Sequence, residues 1–365
     1  MEQQYKRQNK KDKKPIYFLL GFIVFFGIFI YLITKPSLLN TAINQIQICN
    51  NINDVKIVFE KYKFDLLETD ENGHKIVSKE FQNAARNKIN SFNPNEDEII
   101  DCIKWLPPEK TNINIIVIPD LSKRIIDNDN NPDQTRNDSL VLNTIWQSFV
   151  EYSKFKQDTK DKLIIDVTDK YQADGQFSKI ANSLQFDLSL HKGKSNRLYF
   201  TKDKEVQYNK GINSLYEYAI SNPLGADYLF YFNRHLINHL QKPTLFDNYI
   251  NKVIIITDGY LEIGNGMVYT KITPELKKSP NISYTKKLIY NLGLNIPIAQ
   301  IDLSNTDILV CEVNERKSGM KIDFEILKAY WENWFENMNA HKSVIIQREQ
   351  ATNLTKDRIK IFLKN

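Results

Sequence analysis

From residue 112 onward, short runs of β-branched and aliphatic residues recur between longer amphipathic stretches: "INIIVIP", "KLIIDVT", "RLYFT", "KVIIITD", "DILVCEV" and "KSVIIQ". The runs are continuously apolar rather than alternating, as strands covered on both faces are. The stretches between them read as helices. In "DSLVLNTIWQSFVEY", Val141, Ile145, Phe149 and Tyr152 share one face, with Asp138 or Ser139 placed to cap the start. In "DFEILKAYWENWFENM", the broad apolar face of Leu327, Tyr330, Trp331, Trp334, Phe335 and Met338 is core rather than a binding platform. This alternation predicts an α/β fold with a doubly wound, mostly parallel sheet flanked by helices, Rossmann-like in plan. Ligands of such sheets bind outside the carboxyl ends of the strands, which brings Asp120 and Asp258 to one rim.

Ahead of this domain, residues 1–15 form a basic tail, and "IYFLLGFIVFFGIFIYLI" follows without charge or proline. As a helix this run spans about 27 Å, close to a bilayer's hydrocarbon core. Tyr17 and Tyr31 lie near its ends and the lysines cluster before it. The expectation is one transmembrane helix over residues 16–34, with the tail cytoplasmic and the C-terminal domain periplasmic or extracellular. A secretion signal has the same order of parts, but the length of the run and the lack of a small-x-small cleavage site favour an uncleaved anchor. Residues 36–110, with short amphipathic helices in "VSKEFQNAARNKINSF" and "EDEIIDCIKWL", read as a stalk or cap.

The formal charge of +5 comes mostly from the tail, and no Arg/Lys stripe with interleaved aromatics appears, so nucleic acid is not an expected partner. Three cysteines make neither a disulfide framework nor a zinc site; Cys49 and Cys102 are candidates to pair, and Cys311 in "ILVCEV" reads as a small core residue.

The rim carries the chemistry. "PDLSKR" places Asp120 and Ser122 after the first strand, and "IIITDG" places Thr257, Asp258 and Gly259 after a later one. With "NPLGADYLFYFNRHL" between them, this set resembles the von Willebrand factor A domain over about residues 112–365. That family builds a metal-ion-dependent adhesion site from an Asp-x-Ser-x-Ser loop, a Thr in a second loop and an Asp after the fourth strand. The resemblance implies Asp120, Ser122 and Asp258 as ligands of Mg²⁺ or Mn²⁺, and Arg124, Asp227 and Tyr260 as partner-binding residues. The chain departs from the pattern at two positions: Arg124 stands in place of the second Ser, and Ala226 in place of the Thr. Arg offers no acceptor to a hard dication. Its guanidinium can instead pair with Asp120 or Asp258, occupying the place of the metal by charge. The implied site is therefore degenerate.

Three other patterns compete. Asp127, Asp129, Asn131, Asp133 and Asp138 have the alternating spacing of a Ca²⁺ loop, but Pro132 stands where that loop needs Gly, and Asn-rich loops are common in this chain. "HLINH" has the His spacing of a zinc protease helix without its Glu. Asp120 after a strand suits a haloacid-dehalogenase-like hydrolase, yet the general acid two residues on is replaced by Ser122. The favoured expectation is a membrane-anchored protein-binding module, adhesive or scaffolding, in a cell-envelope assembly. A hydrolase using Asp120 and a purely structural component of an envelope machine are the alternatives.

Overall fold

The computed structural model describes residues 25–26, 37–70, 73–156, 158–168, 175–223, 226–263, 267–316, 321–349 and 352–364. The chain divides into two compact units after Pro107.

The first unit is built from helices α1 (Leu38–Gln47) and α2 (Ile52–Tyr62), an antiparallel hairpin of β1 (Leu67–Thr69) and β2 (Lys75–Val77), and helices α3 (Lys79–Asn90) and α4 (Glu96–Ile103). Asn95 and Glu98 form a reciprocal capping box that starts α4. Ala42, Ile46, Val55, Phe59, Phe81, Ala85 and Ile89 are fully buried, with the Phe59 and Phe81 rings stacked at 5.3 Å. Cys49 and Cys102, the candidate pair, are free thiols.

The expected transmembrane helix over residues 16–34 is not supported. Among the described residues no helix is long and apolar enough to cross a membrane. Of that run only Phe25 and Phe26 are described; the rest of it, and the basic tail, lie outside the described residues. The two 20-residue helices of the second unit have the length, but they carry charged residues along it.

The second unit runs β3 (Lys110–Pro119), α5 (Gln134–Ser153), β4 (Lys162–Ile165), α6 (Gln176–Ser183), β5 (Gln185–Asp187), α7 (Lys202–Ser221), α8 (Tyr228–Arg234) and β6 (Asp247–Ile256). It continues with a small hairpin of β7 (Glu262–Ile263) and β8 (Met267–Val268), then α9 (Ile282–Asn291), β9 (Thr306–Val313), α10 (Lys321–Asn337), β10 (Lys342–Gln347) and α11 (Thr352–Lys364). Short helical turns join some of these. Six strands form one sheet in the order β10-β9-β6-β3-β4-β5. Neighbours are parallel except β5, which runs antiparallel to β4. The expected mostly parallel sheet is thus a mixed one with an antiparallel edge.

That edge is also where an expected strand fails to form. "RLYFT" contributes no strand: Lys194–Arg197 is a helical turn, and Thr201 caps α7. The buried Asn196 amide donates to the carbonyls of Thr159 and Leu188, while Tyr199 and Phe200 pack edge to face. Side-chain bonding to backbone competes here with ladder pairing. Asp138 and Ser139 lie inside α5, whose cap position is Asp133 in the left-handed region at φ 55°.

Both faces of the central strands are buried. Ile113, Ile115 and Val117 of β3 join one core with Ile254, Ile256, Leu309 and Cys311. Ile116 and Ile118 join the other with Val253, Ile255, Ile308 and Val310. The first is covered by α5, α7 and α11, the second by α8, α9 and α10, where Trp331 and Trp334 are core as expected. Midway along β6, Lys252 is buried; its ammonium donates to Asp307 Oδ2 at 3.0 Å and to the Phe362 carbonyl of α11 at 2.8 Å.

Removing one partner of a buried pair leaves the other uncompensated. Asp307→Ala is expected to cost about 3 kcal/mol in urea unfolding, and Lys252→Met combined with Asp307→Leu to recover most of that loss. Equal stability of Asp307→Ala and wild type would remove the pair's role in holding α11.

Candidate functional site

The strand order reverses between β3 and β6: the chain winds outward through β4 and β5 on one side and through β9 and β10 on the other. A crevice forms outside the carboxyl ends of two strands that part in this way. Asp120 follows β3 there, Thr257 and Asp258 follow β6, and Asn314 and Arg316 follow β9.

Asp120 is 3% exposed and both its oxygens are engaged. Oδ1 accepts the Ser122 amide at 3.0 Å; Oδ2 accepts the Thr257 hydroxyl at 2.8 Å and lies 3.3 Å from Arg124 Nε. Ser122 caps a 3₁₀ turn, Lys123–Ile125, its Oγ accepting the Arg124 amide at 3.4 Å. This turn aims Arg124 inward. Nε donates to the Asp120 carbonyl at 3.1 Å, and Nη2 donates to the Ile256 carbonyl at 3.0 Å and to Asp138 Oδ2 at 2.8 Å. Asp138 is fully buried in α5 and also accepts Gln134 Nε2 at 2.6 Å and the Tyr216 hydroxyl at 3.0 Å. Burial alone would lower the guanidinium's pKa, but Asp138 and Asp120 outweigh it and raise it further. The cation is permanent.

A dication does not fit this arrangement. Asp120 faces three donors, one of them a fixed cation, and among the described residues no cluster of His, Cys, Asp or Glu could hold a metal. The Ca²⁺ pattern does not converge either. Asp127 bonds the Asn130 side chain at 2.7 Å, Asn131 is buried, Asp129 and Asp133 are exposed, and Asp138 is taken by Arg124. In "HLINH", His239 Nε2 pairs with Asp166 Oδ2 at 2.8 Å, while His235 Nε2 is buried without a partner. Asp227 caps α8 through the Phe230 amide and opens onto a groove with Arg234, Tyr269 and Gln300, which none of the rim carboxylates lines. Ala226 is buried, and Gly225 lies outside the described residues.

Two buried atoms of the rim stand outside this bonding: Arg124 Nη1, which has no partner, and one oxygen of Asp258. Asp258 is 2% exposed; Oδ1 accepts the Tyr260 amide at 3.2 Å, whereas Oδ2 has no hydrogen-bond partner and lies 3.7 Å from Arg316 Nη2. Burial and the charge of Asp120 push its pKa up to about 6, against the pull of Arg124 and Arg316. Gly259 makes the turn possible: its φ is +91°, and a Cβ would meet Val313 at 2.8 Å. Trp331 Nε1 donates to the Gly259 carbonyl at 3.0 Å, tying the turn to the core.

Two features escaped the sequence analysis. Arg316 bonds Glu262 at 2.6 Å over the Tyr260 ring, and Glu312 is buried near Arg348 at 3.8 Å. Glu312, a charge inside the apolar run "ILVCEV", was a visible signal; it has φ +66° and an unbonded Oε2. Arg348 Nη1 bonds Gln134 Oε1 at 3.1 Å, so a polar chain runs from Asp120 through Arg124, Asp138 and Gln134 to Arg348. No family model, no curated protein and no solved structure matches the chain.

Burial, then the charge of Asp138, pushes Glu312 from an ordinary value of 4.5 to about 7, opposed by Arg348 and Arg124. The folded state thus holds a proton that the unfolded chain releases. This contribution is present below pH 4.5 and lost as pH rises through about 7. Glu312→Gln is expected to remove about 3 kcal/mol of the fall in unfolding free energy between those limits, measured by urea denaturation at a series of pH values. An unchanged slope would show that Glu312 does not titrate in this window.

Proposed function

We propose that this chain is a protein-binding module of the von Willebrand factor A type that works without metal, its strand-end rim organised by Arg124. The observation that carries the reading is the Arg124 guanidinium between Asp120 and Asp138, at 3.3 and 2.8 Å. It supplies inside the rim the positive charge that the resemblance would assign to Mg²⁺ or Mn²⁺. The partner then meets a preformed surface and need not complete a metal's coordination shell.

Hydrolysis through Asp120 is disfavoured by the same contacts. A carboxylate nucleophile needs a free oxygen facing substrate, and both oxygens of Asp120 are hydrogen-bonded inward. The strand order and the meeting of Asp120, Thr257 and Asp258 at the reversal point support a rim whose role is recognition.

The melting temperature of the full chain is expected to be the same in chelator, Mg²⁺ and Mn²⁺. Arg124→Ser, which removes the internal cation, is expected to create a Mg²⁺-dependent rise, because a ligand of the native state alone stabilises it. A Mg²⁺ or Mn²⁺ response in wild type that Asp120→Ala abolishes would sink the metal-free reading. Binding is tested separately with a photo-crosslinking residue at the exposed Lys123. In the producing cells it should give one discrete adduct that chelator does not change, and the same residue at Lys342, at the start of β10, should give none. No adduct from position 123 would remove the rim as a partner surface.

A further inference from the structure

Asp258, Tyr260 and Glu262 occupy alternate positions after β6 and surround one guanidinium of the chain itself. Arg316 donates through Nη1 to Glu262 Oε1 at 2.6 Å, lies 4.2 Å from the Tyr260 ring centroid, and holds Nη2 3.7 Å from Asp258 Oδ2. The last distance is too long for a hydrogen bond. An almost fully buried carboxylate therefore points an unbonded oxygen at a cation that does not reach it, and that cation is 31% exposed.

A buried acceptor without a donor costs free energy that a better-placed donor recovers. The requirements of such a donor are set by its surroundings: positive charge for two carboxylates, and a flat or compact cation for the ring face. We propose that this cradle receives a basic side chain of the protein partner, arginine or lysine, in place of Arg316. The proposal rests on the rim being the partner surface, and it deepens that reading by giving the partner's sign of charge.

The sign is opposite to what a metal or an outward-facing Arg124 would select. Either of those would seek an acidic ligand, but Arg124 is spent on Asp120 and Asp138. The loop beside the cradle adds Asp127, Asp129 and Asp133, and the Asn314 side chain bonds the Asn130 carbonyl at 3.2 Å. A basic segment approaching this edge meets attraction before contact, and an acidic one meets repulsion.

The test uses the full chain and two small probes, ethylguanidinium and propionate, at tens of millimolar and matched ionic strength. In Arg316→Ala, ethylguanidinium should raise the melting temperature by about 2–4 °C. It should do so in neither wild type nor Arg316→Ala with Asp258→Asn, and propionate should do so in none. The adduct formed from position 123 should be strengthened in Arg316→Ala, and in that variant ethylguanidinium should suppress it. No selective rise in Arg316→Ala, or a rise that survives Asp258→Asn, overturns the cradle. An adduct competed by propionate instead leaves the rim reading standing and overturns the basic partner. Loss of the adduct altogether fails the rim reading, and the proposal falls with it.

Discussion

The second unit is organised around a buried cation. Arg124 reaches from a turn after β3 to a carboxylate on its own loop, a carboxylate in α5 and a carbonyl at the end of β6. Taking these charges out of water is costly, and the cost is offset by bonds to Arg124 Nε and Nη2 and to both oxygens of Asp120 and of Asp138, while Nη1 is left without a partner. The geometry is correspondingly demanding: the turn capped by Ser122, the position of α5 and the register of β3 against β6 must all agree. One interaction therefore ties the switch point of the sheet to the helix that covers it.

The same interaction decides the chemistry of the rim. A metal site presents oxygens outward, short of partners; here the corresponding oxygens of Asp120 are turned to donors within the fold. The unbonded carboxylate oxygen of the rim lies to the side, on Asp258. The polar chain that continues through Gln134 reaches Arg348, which follows the carboxyl end of β10 at the same edge of the sheet.

The core was legible because period and continuity of apolar residues depend on little but the local chain. Strands β3, β6, β9 and β10 lie where the Ile/Val runs stand, and the Trp pair in α10 is buried as its helical spacing implies. Errors fell where side chains and backbone compete. Asn196 draws "RLYFT" out of the sheet, and Asp133 rather than Asp138 opens α5. The apolar run near the N-terminus suggested a membrane helix on hydropathy alone, and the described residues contain none.

From the sequence alone came the α/β alternation, the burial of the strands on both faces and the arrival of Asp120 and Asp258 at one rim, since these follow from periodicity and from the right-handed winding of parallel strands. It also showed that Arg124 could pair with a rim carboxylate. Only the tertiary structure decided that it pairs with Asp120 and Asp138 rather than with Asp258, and that Asp258 is left with an unbonded oxygen facing Arg316. The reason is physical: which charges pair depends on desolvation and on distances of a few ångströms between residues far apart in the chain, and those are set only when the helices have packed onto the sheet.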